Sequence, residues 1–240
     1  MTRTQIINFI IILSVFTSWG QQYEFGINVG AGNYIGDIGQ EYYFMHNKPG
    51  VGVMFKNTSN PWFGIRFAAN YHEIYANDLE SESLGRQKRE LLVKGGILDF
   101  SAGIEYNFLP RNPFLRPKRS QRITPYMYSG LGIASFYGDL YKNKDPEKSI
   151  YDYSGSAFFI PMTLGVKYRI SEHLIIGMES TAKYFFTDNL DGTGLYYNPE
   201  DYDFADKKFS GNPNSNDWYT YTSFSIIYTF GDLLCYFNLR

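Results

Sequence analysis

Three histidines, His46, His72 and His173, are the side chains of this 240-residue chain best suited to proton transfer or metal ligation near neutral pH. Either chemistry needs them to converge. His46 falls in a candidate loop, His72 at the end of one candidate strand and His173 at the opposite end of the array, so they do not. Gly30-Ala31-Gly32 with Gly36 has the look of a dinucleotide loop, but a helix should follow such a loop and nothing from Tyr34 onward has helical period. The stretch from Asp188 to Gly194 (DNLDGTG) hints at a calcium loop, yet it lacks the ligand spacing and the closing Glu. Asn57-Thr58-Ser59 is a glycosylation sequon placed in a tight turn. No Ser/His/Asp group assembles at one place. The expectation is a protein that is not an enzyme, with no catalytic residues, no metal and no cofactor.

The remaining polar groups have a different regularity. Arg66, Asp99, Glu105, Lys167, Glu179 and Lys183 each sit in a segment whose neighbours alternate apolar and polar, and each falls on the polar side. Leu98, Phe100, Ala102, Ile104, Tyr106 and Phe108 share one face, while Asp99, Ser101, Gly103, Glu105 and Asn107 share the other. A period of two marks a strand with one apolar face. The same test predicts eight strands in all. They run from Tyr23 to Ala31, Gly50 to Lys56 (short), Trp62 to about His72, Ile97 to Phe108, Thr124 to Phe136, Phe158 to Tyr168, Leu174 to Tyr184 and Trp218 to Phe230. The fifth is Gly-rich and ambiguous in its facing. No helical-period segment of any length stands out after the first twenty residues.

Several of these segments are about ten residues long, the length a tilted strand needs to cross a bilayer. Aromatic residues make up 19% of the chain, heavy for a soluble domain, and Tyr suits a wall with one wet and one dry end. Tyr42, Tyr43, Trp62, Trp218 and Tyr219 fall near strand ends and read as interface girdles, and Tyr196, Tyr197 and Tyr202 as loop aromatics. The fold expected is all-β, an eight-stranded antiparallel transmembrane β-barrel with long outer loops and a side-chain-filled lumen. Arg3, the apolar run from Ile6 to Phe16 and the small residues up to Gly20 read as a cleaved signal peptide over 1–20. The barrel then occupies 21–230, and 231–240 is a periplasmic tail. A slip of one residue in register would turn Asp99, Glu105, Glu179 and Lys183 toward lipid, where a basic residue at the midplane costs about 2–4 kcal/mol. These groups, with Arg66 and Lys167, are therefore expected to form a polar network in the lumen.

Connections alternate in length. Asn57 to Pro61 and Ser171-Glu172 are tight, whereas 34–49, 73–96, 137–156 and 185–217 are long, as in barrels with short periplasmic turns and long outer loops. Both termini then face the periplasm. The segment 109–123 departs from this pattern, being longer than a turn, rich in Pro and basic, with Arg111, Arg116, Lys118, Arg119 and Arg122. A stiff basic loop is a candidate partner-binding surface for an acidic protein. Cys235, the single cysteine, rules out an internal disulfide and leaves a free thiol or a bond to a partner. The net charge of −2 gives no reason to expect a nucleic-acid partner.

A family resemblance rests on Asn33-Tyr34-Ile35-Gly36-Asp37, the strand Ser101 to Phe108, Thr124-Pro125-Tyr126, Phe186 to Asp191, and Asp217-Trp218-Tyr219 leading to Tyr228-Thr229-Phe230-Gly231. In order and spacing these pieces resemble the PorG-type outer-membrane proteins of the Bacteroidetes type IX secretion system, over most of the mature chain. The resemblance implies a non-enzymatic outer-membrane component of protein secretion, with gliding motility as an associated role. It implies as partners the outer-membrane lipids and a periplasmic ring of a PorK/GldK-type lipoprotein and a PorN/GldN-type subunit, the barrel itself being a monomer within that larger complex. Two other readings compete. One is an autonomous small barrel giving envelope stability or surface adhesion, and the other a barrel enzyme acting on lipid.

Overall fold

The period-two alternation becomes eight long strands in one closed antiparallel barrel, in a computed structural model that describes residues 23–39, 48–58, 60–109, 122–142, 145–192 and 216–230, the side chains of 145–148, 150 and 151 set aside. The strands are β1 (Tyr23–Ile35), β2 (Lys48–Asn57), β3 (Phe63–Asn77), β4 (Leu91–Asn107), β5 (Ile123–Lys142), β6 (Asp145–Arg169), β7 (Leu174–Phe185) and β8 (Trp218–Phe230). Each pairs with its neighbour in sequence, and β8 returns to β1. Closure leaves no free sheet edge where the barrel meets lipid, the condition for strands to cross a bilayer. No helix among the described residues is long and apolar enough to do so. The proposed leader, 1–20, and the tail, 231–240, lie outside the described residues.

Register sets the stagger. From Ile27, pairing runs one way through Val53, Ala69, Phe100 and Ile133 to Phe158 on β6. The other way it runs through Ile226 and Ile176 to Tyr168, also on β6 and ten residues further along. That offset is the shear of the barrel, and with eight strands it tilts them by about 40°.

The alternation then sorts side chains. Ile27, Val53, Ile65, Phe100, Leu131, Leu164 and Phe224 all point outward and are each more than two-fifths exposed, forming an apolar belt. Glu24, Lys56, Asp99 and Glu105 point inward and are 0% exposed. Aromatic rings bound the belt. At the short-turn end Tyr23 stacks on Phe55 and Phe230, and Tyr106 on Trp62. At the other end Tyr184 meets Trp218 edge-on at 5.0 Å, and the Tyr71 and Tyr137 hydroxyls lie 2.9 Å apart. An outward apolar belt flanked by rings, around an inward polar face, is the arrangement of an outer-membrane β-barrel.

The structure departs from the sequence expectations at the long-connection end. The second strand is ten residues, longer than Gly50 to Lys56. Residues 137–156, expected as a loop, are mostly strand: β5 continues to Lys142 and β6 begins at Asp145. Likewise β3 runs on to Asn77 and β4 starts at Leu91, so the 73–96 loop shrinks to 78–90. Within it lie a 3₁₀ turn (Asp78–Glu80) and a short helix, α1 (Leu84–Arg89), although no helix was expected. Asn77 caps the 3₁₀ turn by accepting the Leu79 N–H, and Glu90 ends α1 in the left-handed region at φ 57°. At the other end two of the three connections are tight: Asn60 accepts the Trp62 N–H, and Ser171 Oγ accepts the Leu174 N–H, whereas β4 and β5 are joined by the long segment between Asn107 and Ile123.

Candidate functional site

The inward face of the short-turn half is a chain of ion pairs crossing from wall to wall. Lys56 on β2 lies 2.7 Å from Glu24 on β1 and 3.2 Å from Glu105 on β4. Glu105 also pairs with Lys167 on β6, whose ammonium bonds Asn107 at 3.3 Å and lies over the Tyr126 ring. Arg66 on β3 reaches across the lumen to Glu179 on β7 through two bonds, Nη1 at 2.8 Å and Nη2 at 2.9 Å. The Tyr126 hydroxyl on β5 donates to the same carboxylate at 2.6 Å. Arg66 lies 3.6 Å from Glu105 as well, which joins the two groups. A planar fork meeting a carboxylate with two bonds is the strong form of this contact.

A second group sits deeper. Lys183 on β7 pairs with Asp99 on β4 and lies 2.7 Å from His72 Nε2 on β3. Asp99 Oδ2 is 3.1 Å from that same imidazole nitrogen, and Asn70 donates to Asp99 Oδ1 at 2.9 Å. The chain of contacts continues to β1 and β8 through Asn28, which meets Asn70 at 3.4 Å and accepts the Tyr221 hydroxyl at 2.9 Å. Buried charges survive only when paired and hydrogen-bonded, and here each carboxylate has at least one cation.

Above the ions the lumen is apolar. Ile97, Phe136, Phe159, Phe185, Tyr219 and Tyr221 form one buried cluster, and Ile38 and Leu190 from the long connections complete it. Gly32 and Gly132 give the space, since a Cβ there would overlap the Tyr219 and Phe159 rings, and Gly165 does the same for Tyr126 in the ionic half. The lumen is thus filled by ions in one half and packed rings in the other.

Two clasps close the long-connection rim. Asp78 accepts from Gly39 N at 3.1 Å and from Arg89 at 3.1 and 3.2 Å. Arg89 and Arg86 in turn donate to the carbonyls of Asp37 and Gly39. Nearby, Asp217 accepts the Tyr34 hydroxyl at 2.6 Å and the Leu190 N–H at 2.9 Å. Burial and the charge of Asp191 hold the Asp217 carboxyl well above the usual carboxylate range. Asp188 is pushed up to about 7 by burial and by Asp37 and Asp191. Among the described residues no group of three or more His, Cys, Asp or Glu is arranged to hold a metal ion.

All six residues expected in the lumen, Arg66, Asp99, Glu105, Lys167, Glu179 and Lys183, lie there, 0–4% exposed. His72 is not at a strand end but in mid-strand, 0% exposed, within the network. Glu24, Lys56 and Tyr126 are further members that the sequence reading passed over. Their inward parity was the signal available, since each alternates with an outward apolar neighbour. His173 bonds the Thr229 carbonyl at 3.1 Å at the short-turn rim, far from His72 in the barrel wall. Of the candidate partner-binding residues, Arg122 is described and part-buried at that rim, whereas Arg111, Arg116, Lys118, Arg119 and Cys235 lie outside the described residues.

No curated protein matches the chain in sequence. Solved structures of similar fold include the Neisserial surface protein A, 11% identical, covering 87% of this chain and 97% of that one with a TM-score of 0.49. A major outer membrane protein from Thermus thermophilus is 15% identical, with 87% and 99% covered and a TM-score of 0.49. The attachment invasion locus protein Ail of Yersinia pestis is 11% identical, with 88% and 99% covered and a TM-score of 0.46. Likeness at these identities concerns the fold. A family model described as a domain of unknown function (DUF6089) matches residues 3–238, and the chain belongs to that family.

Proposed function

We propose that this outer-membrane barrel is a non-conducting, non-enzymatic anchor of a secretion machine. In this reading it is the PorG-type component of type IX secretion, and it holds a periplasmic ring of a PorK/GldK-type lipoprotein and a PorN/GldN-type subunit. The observation that carries the proposal is the filled lumen. Ion pairs reach from β3 to β7 and from β4 to β6 and β7, and the residues making them are 0–4% exposed. A route for solute would break several buried pairs, and a catalytic pocket would need space that packed rings already fill. Work at the membrane then falls to the rims and the outer wall. The short-turn rim, periplasmic in this reading, carries the basic segment 109–123, and the resemblance of Asn33 to Asp37 and Ser101 to Phe108 to PorG-type proteins supports a ring as the partner.

The test is affinity purification of a tagged copy from gently solubilised native membranes, with and without residues 111–122 replaced by a Gly/Ser linker. The expected result is a large periplasmic ring with the intact protein and its loss with the linker. Elution of the intact protein alone, as a small barrel, overturns the proposal in favour of an autonomous barrel.

A further inference from the structure

The apolar belt is not evenly filled. On β1, β7 and β8 its outward positions carry large side chains, among them Ile27, Met178 and Phe224. On β3 and β4 two of them are alanines. Ala69 stands opposite Val53 and Phe100, and Ala102 stands opposite Phe67 and Leu131. These alanines are the floor of an open groove of about 800 Å³, walled by Phe55, Phe67, Phe100, Leu131 and Phe158 and lined by no charged residue. It runs obliquely from Phe25, beside the short-turn girdle, to Phe158, toward the long connections. Its volume falls within the range of small-molecule sites, about 300–1,000 Å³.

The surroundings of the groove name its occupant. It is continuous with the belt that meets hydrocarbon, so an acyl chain reaches it without leaving the membrane. A chain lying in the depression touches the wall on several sides, and each added contact slows its exchange. The upper end is built of hydroxyls. Two residues above the row of Ala69, Phe100, Ile133 and Phe158, the register sets Tyr71, Leu98, Ser135 and Ser156 in line. The Tyr71 and Tyr137 hydroxyls meet over Gly96, where a Cβ would come within 2.9 Å of each. Ser135 and Ser156 join their hydroxyls at 3.3 Å. One mutual bond leaves each pair with hydrogen-bonding capacity to spare.

Charges of both signs come next. Glu73 is exposed opposite Gly96, and Lys94 is exposed with Asp139 opposite it and Asp152 beyond. Neither Glu73 nor Lys94 has an ion pair among the described residues. Hydrocarbon, hydroxyls and then mixed charge is the order of chain, linkage and headgroup in a zwitterionic phospholipid. A purely anionic headgroup would meet Glu73, Asp139 and Asp152 against the single Lys94, whereas a zwitterion offers phosphate to Lys94 and ammonium to Glu73.

We propose that this groove holds one zwitterionic phospholipid, its chains over Ala69 and Ala102 and its linkage at the Tyr71–Tyr137 and Ser135–Ser156 hydroxyls. The site stands independently of any secretion partner. The probe is phosphatidylethanolamine, added to the purified full-length barrel in detergent and counted by native mass spectrometry, with phosphatidylglycerol of the same chains as the anionic comparison. The wild-type protein should retain one phosphatidylethanolamine, about fivefold more tightly than phosphatidylglycerol. Ala69→Phe with Ala102→Phe fills the floor and should weaken retention by about tenfold or more, as loss of contact along several methylenes implies. Ile176→Phe, in the belt on β7 and outside the groove, should stay within about twofold. Glu73→Gln should bring the two lipids within about twofold of each other. A gel shift between heated and unheated samples checks folding. Should the double variant fail that check, Ala102→Leu takes its place, with an expected loss of about threefold.

Three results overturn the proposal. One is wild-type retention of both lipids alike. Another is retention of phosphatidylethanolamine at wild-type level by a folded floor-filling variant. The third is a wild-type dimer that the floor-filling variant lacks, since a second copy of the barrel would then be the occupant.

Discussion

Replacing Glu179 by Leu should destabilise the barrel by about 4 kcal/mol. Glu179 accepts two bonds from Arg66 and one from Tyr126, all three side chains being buried. Removing one partner of a buried pair costs about 3–5 kcal/mol, because the other charge is left uncompensated. Glu105, 3.6 Å from Arg66, takes up part of that charge, which favours about 3 kcal/mol from this source. The stranded Tyr126 hydroxyl adds about 1 kcal/mol or more. The decisive comparison is the triple change Arg66→Met, Tyr126→Phe, Glu179→Leu. It removes one cation and one anion together, so Lys56 and Lys167 still face Glu24 and Glu105. Apolar replacement of a whole buried pair is often neutral or stabilising, so the triple variant should lie within about 1 kcal/mol of wild type. Urea titration in lipid vesicles, followed by tryptophan fluorescence, measures both. A single variant within about 1 kcal/mol of wild type, or a triple variant as unstable as the single one, refutes the claim that this pair is buried and essential to itself alone.

Four further outcomes are expected. Asp188 titrates at about 7 when folded, above its ordinary range, so its contribution to stability is full at acid pH and is lost as pH rises through 7. Protection of the Leu190 amide from hydrogen exchange should therefore fall progressively between about pH 4 and pH 7 beyond the intrinsic base dependence, and Asp188→Asn should abolish that fall. Gly165→Ala should cost about 1–3 kcal/mol in the same urea titration, since its Cβ would overlap the Tyr126 ring and push the hydroxyl off Glu179. Arg89→Gln opens the clasp on Asp78 and the Asp37 carbonyl, and should speed proteolysis within 78–90 without changing the melting of the barrel. In planar bilayers the wild-type protein should give no steady ion conductance; a stable open level would contradict a lumen filled by side chains.

Much of the wall is legible locally, because facing depends on parity alone. Leu98 to Phe108 shows this best: the outward set is apolar and the inward set polar, and the pairing of β4 follows that order. Parity says nothing about which charge meets which. Arg66 and Glu179 are 113 positions apart and are brought together by the shear and by closure of the sheet. Alternation also fades where both faces are apolar. On β5 the inward Ala134 and Phe136 follow the outward Leu131 and Ile133, which is why that strand's facing was ambiguous. Beyond the bilayer the outward face becomes polar, as at Asp152, Ser154 and Ser156, and reads as loop, although Leu140 and Tyr153 remain buried on the inner face. The six residues of α1 are too few for a helical period to register. Glu24 and Lys56 stand one position from strand ends, where a lone charge reads as the end itself.

The shear has a consequence for how the barrel is made. Backbone hydrogen bonds alone do not distinguish one stagger from another, since sliding a strand by two residues restores the ladder and the facing. The ion pairs do distinguish them. They join β3 to β7 and β4 to β6 and β7, strands that are not neighbours, so their partners meet at one stagger only. A wall closed two residues out of step would hold the same strands and the same apolar belt with unpaired charges sealed inside. The lumen network is in that sense a combination lock, checking the whole circumference at once when β8 meets β1.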